Sequence, residues 1–239
     1  MCVATLFFFF ACGIEDYIYL PPVPESSVTQ SPAMSGATIR LPQIDVLQFK
    51  NFAIFYRIYI SATSFPSLPS NAYATLNAAL SADFNAFLPY TNVATNTGVN
   101  AGAVGTLFKN RNYWKLEIQG AGIDGVLGSG GQTVTVNFLN SIGRAPTLNA
   151  GNEYTLFRSN GEGAFQPVPD RRFLNTDDLN ATENATVLEN ADVTPTPGSP
   201  SPRYAYVAMY IVALGMDNNF SPIYSSPTFL GVFRLPEIG

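Results

Sequence analysis

Ten consecutive residues, Phe52-Ala-Ile-Phe-Tyr-Arg-Ile-Tyr-Ile-Ser61, restrict the folds open to this chain more than any other stretch. Successive side chains of an extended strand point to opposite faces, so Phe52, Ile54, Tyr56, Ile58 and Ile60 share one side. Phe55 and Tyr59 share the other side with Arg57. A strand that is apolar on both faces has to be covered on both, which predicts a central place in a sheet.

Further segments carry the same period. Tyr113 to Gln119 alternates, Thr133 to Leu139 reads TVTVNFL, and Glu153 to Arg158 is a shorter run. Tyr204 to Leu214 and Thr228 to Leu235 complete the set, and Leu41 and Pro42 predict an edge segment near residues 39–49. Residues 70–88 break the pattern. Tyr73, Leu76, Leu80, Phe84, Phe87 and Leu88 recur at helical spacing, Ser70 or Asn71 can cap, and Pro89 ends the run. That aromatic stripe suits packing on a sheet better than holding a cofactor. Residues 166–202 combine several prolines with acidic residues and no periodic apolar positions, the composition of a long disordered surface loop. With 46% apolar residues in 239, the chain can build a core. The expected fold is mainly β, an antiparallel β-sandwich with an inserted helix and long loops.

The first residues read MCVATLFFFFAC. The apolar run Val3 to Ala11 would span roughly 14 Å as a helix, about half of a ~30 Å hydrocarbon core. It is too short to cross a membrane and has the size of a signal-peptide apolar region, which closes at a small residue such as Ala11. No Lys or Arg precedes it, which predicts a true start upstream of Met1. Residues 13–38 contain Pro21, Pro22, Pro24 and Pro32 among Ser and Thr, and read as a flexible tether. Fully stretched, it would reach on the order of 85 Å.

Phe9-Phe10-Ala11-Cys12 resembles a bacterial lipobox of the permissive spirochaetal kind, which accepts Phe where others use Leu. The continuation Cys12-Gly-Ile-Glu-Asp-Tyr-Ile-Tyr-Leu-Pro-Pro22 is similar to the start of many treponemal lipoproteins of unassigned function. The resemblance implies cleavage between Ala11 and Cys12 and lipidation of Cys12 with a diacylglycerol and an N-acyl group. Acyl burial contributes about 0.8 kcal/mol per methylene, so several chains on one cysteine hold a protein to a bilayer durably. Cys2 would leave with the leader, and the mature chain could then form no disulfide. The implied division is a signal peptide over 1–11, a lipidated N-terminus and tether over 12–38, and one sandwich-like domain over 39–239 with an insertion over 63–203.

The C-terminal segments resemble the last hairpin of a fibronectin type III domain. Tyr204 to Asp217 supplies the Tyr- and Val/Ala-rich strand, Ser221-Pro-Ile-Tyr-Ser-Ser-Pro227 the polar turn, and Phe229 to Phe233 the final strand. Tyr56-Arg-Ile-Tyr-Ile-Ser61 is similar to that family's third strand. The separation of these segments exceeds what one such domain holds, and therefore implies the insertion.

Chemistry is sparsely represented. The chain has no histidine, which removes the usual general base, the commonest zinc ligand and the Ser/His/Asp and Cys/His constellations. A net charge of −5 with scattered Lys and Arg argues against nucleic acid, since phosphate neutralisation needs clustered cations. Gly120-Ala-Gly-Ile-Asp-Gly125 has the GxGxxG spacing after a strand, yet Gly128, Gly130 and Gly131 fall where the helix should open and no acid lies about twenty residues on, so a glycine-rich hairpin loop explains it better. Asp217-Asn-Asn-Phe-Ser221 alternates oxygen ligands but lacks the glycine and glutamate of a calcium loop. Asn180 and Asn184 open Asn-Ala-Thr triplets, a sequon that a bacterial lipoprotein would not use. Glu117, Asp124, Glu153 and Glu162 could supply a carboxylate pair, which glycoside hydrolysis requires at about 5–10 Å. Tyr113 and Trp114 form the candidate aromatic binding surface, with one ring expected to face outward and the other the core.

These features point to a non-enzymatic, lipid-anchored envelope protein, on the outer membrane or a periplasm-facing membrane surface. Its role would be binding or scaffolding, including surface adhesion. The alternative is a periplasm-facing lipoprotein that binds or cleaves glycans through the middle-strand acids and Trp114. No cofactor, metal or nucleic acid is expected, and the partners are the membrane and a protein or glycan ligand.

Overall fold

The computed structural model describes residues 19–61, 113–118, 123–128, 130–138, 146–157, 193–195 and 204–234. They form two antiparallel sheets facing each other across one core. The first contains β1 (Val28–Gln30), β2 (Gly36–Arg40), β5 (Glu117–Ile118), β6 (Thr133–Asn137), β7 (Thr147–Asn149) and β8 (Glu153–Phe157), in the order β1-β2-β6-β7-β8-β5. The second is built on β3 (Phe49–Ser61) and β10 (Tyr204–Met216), paired over nearly their whole length. β11 (Pro222–Tyr224) and β12 (Thr228–Arg234) share the outer side of β10, while β4 (Trp114–Lys115) and β9 (Val193–Pro195) share the outer side of β3. Only the β3–β9 pair among these is parallel.

β3 is therefore central, and its alternation is used as the sequence suggests. Phe52, Ile54, Tyr56 and Ile58 face the shared core with Val207, Met209, Ile211 and Ala213 of β10. Ile39, Val134, Val136, Leu148 and Leu156 meet them from the first sheet. The other face of β3 and β10 is apolar too: Ala53, Tyr210 and Val212 cluster with Tyr113, and Phe55, Tyr224 and Phe229 pack against them. The strands to which the fibronectin resemblance refers, β3, β10 and β12, lie side by side in this sheet.

Two devices join the sheets. Residues 113–118 pair first with β3 and then with β8, and the fully buried Leu116 between them donates its N–H to Ile54 O at 2.8 Å. At the other edge Arg234 N–H reaches Met34 O at 2.9 Å, and Phe138 stacks on Phe233 with centroids 5.0 Å apart. β11 and β12 are separated by Ser225-Ser-Pro227. There the Ser225 hydroxyl accepts from Ala213 N–H at 2.8 Å and continues the ladder across the break.

Several boundaries differ from the sequence reading. The tether expected over 12–38 does not extend beyond Tyr19, where the chain is already folded: Leu20 and Val23 are buried, and β1 and β2 are sheet strands. Short strands flanked by Pro and Ser acquire their conformation from pairing with β6 rather than from periodicity. β2 is interior rather than an edge, and 41–48 is a loop. Residues 63–203 are not an insertion as a whole, because β5 to β8 make up most of the first sheet. Within the expected loop 166–202, Val193–Pro195 pairs with β3. The helix expected over 70–88 lies outside the described residues, as do Cys12, Asn180, Asn184 and Glu162.

Candidate functional site

Tyr113 and Trp114 point to opposite sides, as adjacent strand residues must. Tyr113 is only 3% exposed, sits edge-on to Tyr210 with centroids 5.4 Å apart, and has the Arg57 guanidinium 5.9 Å above its ring. Trp114 packs against the main core, and its indole N–H is buried without a partner among the described residues. Tyr113 therefore offers no open face on which a sugar could stack, and Trp114 is half-buried against the core.

Glu117 and Glu153, the candidate acids whose side chains are described, do not converge either. Glu117 is opposite Phe157 in the β5–β8 pair, and Glu153 lies four residues along β8. At about 3.3 Å per residue the two are separated by roughly 13 Å along the strand, beyond the spacing either glycosidase mechanism uses. Asp124 lies in α1, the single helical turn Ile123–Val126. That turn takes up the second half of the GxGxxG stretch and is too short to build a phosphate site. Its connection is not a hairpin, since β5 and β6 are not neighbours, and it crosses to the second sheet, where Leu127 O accepts from Phe52 N–H at 3.0 Å.

Asp217 is occupied by its own turn. Its Oδ1 accepts from Asn219 N–H at 2.8 Å and Ser221 N–H at 2.7 Å, and its backbone N–H donates to Ser221 O at 3.0 Å. A carboxylate used in this way is turn chemistry. Among the described residues no group of three or more Cys, Asp or Glu could hold a metal ion.

One concentrated surface feature has little signature in the sequence. At the end of the sandwich where the chain enters, three segments meet around Gly215 of β10. A side chain there would collide with Gln48 O, and Leu20 Cδ1 would lie 3.0 Å away. Gln48 O also accepts from Met216 N–H at 3.0 Å, which ties the β2–β3 loop to the β10–β11 hairpin. Tyr19 precedes Leu20, Leu47 precedes Gln48, and Phe220 sits in the turn after Met216. All four of Tyr19, Leu47, Met216 and Phe220 are exposed. The available sequence signal was an aromatic inside Asp-Asn-Asn-Phe-Ser, where a turn favours small or polar residues.

Compared with protein-family models, curated proteins and solved structures, the chain matches none. Among the described residues no helix is long and apolar enough to cross a membrane, which does not bear on strands.

Proposed function

We propose that the chain is a lipid-anchored protein of a bacterial cell envelope, and that its β-sandwich is a non-enzymatic module for binding or scaffolding. One observation carries the reading: the junction Phe9-Phe10-Ala11-Cys12 closes an apolar run of signal-peptide length. An acylated Cys12 would fix the chain to a bilayer through several acyl chains. The segment between Cys12 and the fold is shorter than the tether expected over 12–38. The seven residues from Cys12 to Tyr19 reach at most about 25 Å, so the domain is held near the headgroups rather than lifted clear of them.

The binding role is favoured over a glycan-directed one. Glu117 and Glu153 are too far apart for paired catalysis, Tyr113 is packed into the protein and Trp114 is half-buried against the core. A surface adhesin is the form this role takes if the anchored leaflet faces outward, and protease treatment of intact cells distinguishes the two orientations. Metabolic labelling with palmitate tests the anchor. Label on the wild-type protein that disappears in Cys12→Ser supports it. An unlabelled wild type, or label that persists in Cys12→Ser, refutes it.

A further inference from the structure

Large apolar side chains left in water forgo the stabilisation that burial gives. Among the described residues four remain exposed, Tyr19 at 51%, Leu47 at 90%, Met216 at 42% and Phe220 at 82%, and all lie at the end of the sandwich around Gly215. Single exposed apolar residues are ordinary, whereas a group rimming one end marks an interaction surface.

Phe220 carries a second cost. Its φ is 61°, in the left-handed region that bulky L residues avoid. The turn is held by Asp217, whose Oδ1 and carbonyl O take the N–H groups of Asn219, Ser221 and Phe220, so the ring itself contributes nothing to closing it. Glycine or asparagine would make the same turn without strain or exposure. The ring is instead aimed at something outside the fold.

The sequence that leads into this end indicates what that is. The apolar run Val3–Ala11 stops eight residues before Tyr19, and Tyr19–Leu20 joins the fold beside the exposed group. Among the described residues, the charged ones nearest the four in sequence are Lys50, Asp45 and Asp217, one cation against two anions, so attraction to an anionic partner is not built in. We propose that this end is a membrane-contact face. Leu47 and Phe220 enter the boundary between headgroups and acyl chains of the bilayer that holds Cys12, with Met216 and Tyr19 at the margin. The inference rests on the anchored reading for its orientation, and it gives the short tether a geometry: the domain stands on the bilayer on a fixed end. A contact made by apolar side chains without an excess of cations should not weaken as salt is raised.

The test uses the full-length protein in dioleoylphosphatidylcholine vesicles made with and without brominated lipid. Trp114 is the only tryptophan, so Phe220→Trp and Leu47→Trp each add one reporter at this end. Ala33→Trp adds one in the exposed β1–β2 turn at the opposite end. The expected result is roughly two-fold quenching of the added emission at 220 and 47, because interfacial side chains reach the ~5–10 Å depth of the bromines. Ala33→Trp should be unchanged. Unquenched emission at both 220 and 47, or equal quenching at 33, overturns the proposal. So does a concentration-dependent dimer that Phe220→Gly abolishes while quenching is absent, which would assign the face to a second copy. Quenching is scored whether or not the vesicles carry the protein on flotation. Floated protein without quenching removes the contact face and leaves the anchor, whereas wild type that does not float removes the anchor.

Discussion

Gly215→Ala perturbs the point where the entering chain, the β2–β3 loop and the end of β10 converge. The new Cβ would lie 2.5 Å from Gln48 O, 3.1 Å from Gln48 C and 3.0 Å from Leu20 Cδ1. Two of these are backbone atoms, so a change of rotamer cannot relieve the clash and the loop has to retreat. The first bond lost is that of Met216 N–H to Gln48 O. Overpacking costs about 1–3 kcal/mol and the lost hydrogen bond about 1 kcal/mol more. Restricting the unfolded chain returns about 0.4–1 kcal/mol. The net loss is about 2 kcal/mol, which lowers Tm by roughly 4–8 °C in a chain of this size. Thermal melts followed by circular dichroism and urea midpoints both read it. Gly125→Ala is the control: no atom lies within 4 Å of its Cβ, in the helical turn, so stability should hold or rise by up to about 1 kcal/mol. If Gly215→Ala melts at or above the wild-type temperature, the three segments are not packed as described and the contact face loses its frame.

Three further outcomes follow from the same geometry. Phe220→Gly relieves about 1–2 kcal/mol of left-handed strain against about 0.4–1 kcal/mol of added chain entropy; urea unfolding should show unchanged or slightly raised stability while vesicle contact weakens. Leu116→Ala removes a fully buried side chain where the chain passes between the sheets and should cost about 2–5 kcal/mol by guanidinium unfolding. Burial raises the Tyr224 phenol above its ordinary value of 10.0, so above that pH the unfolded chain releases a proton that the folded one keeps, and stability falls as pH rises. Tyr224→Phe should lessen that alkaline loss, and phenolate absorbance should show a late-titrating tyrosine that the variant lacks.

The long strands were legible because their pattern is long enough to fix a period. Phe52 to Ser61 and Tyr204 to Leu214 announced buried strands, and Thr133 to Leu139 an alternating one. β1 and β2 were hidden, since three and five residues beside prolines carry no measurable period and their state depends on distant partners. The same prolines made Leu20 and Val23 look like tether although both are buried. Tyr113 and Trp114 lie on opposite faces, and parity could not reveal that the second sheet is covered with apolar residues on its outer face as well. The exposed end was the least legible. Leu47, between Val46 and Gln48, reads like core, and Phe220 stands out only once its turn has a backbone conformation.

Intact-mass measurement of the protein extracted from its native membranes bears most directly on how the chain is held there. A polypeptide that starts at Cys12, heavier by a diacylglyceryl group and an amide-linked acyl chain, is the expected result. A species retaining Met1, with an unmodified thiol at Cys12, would contradict it.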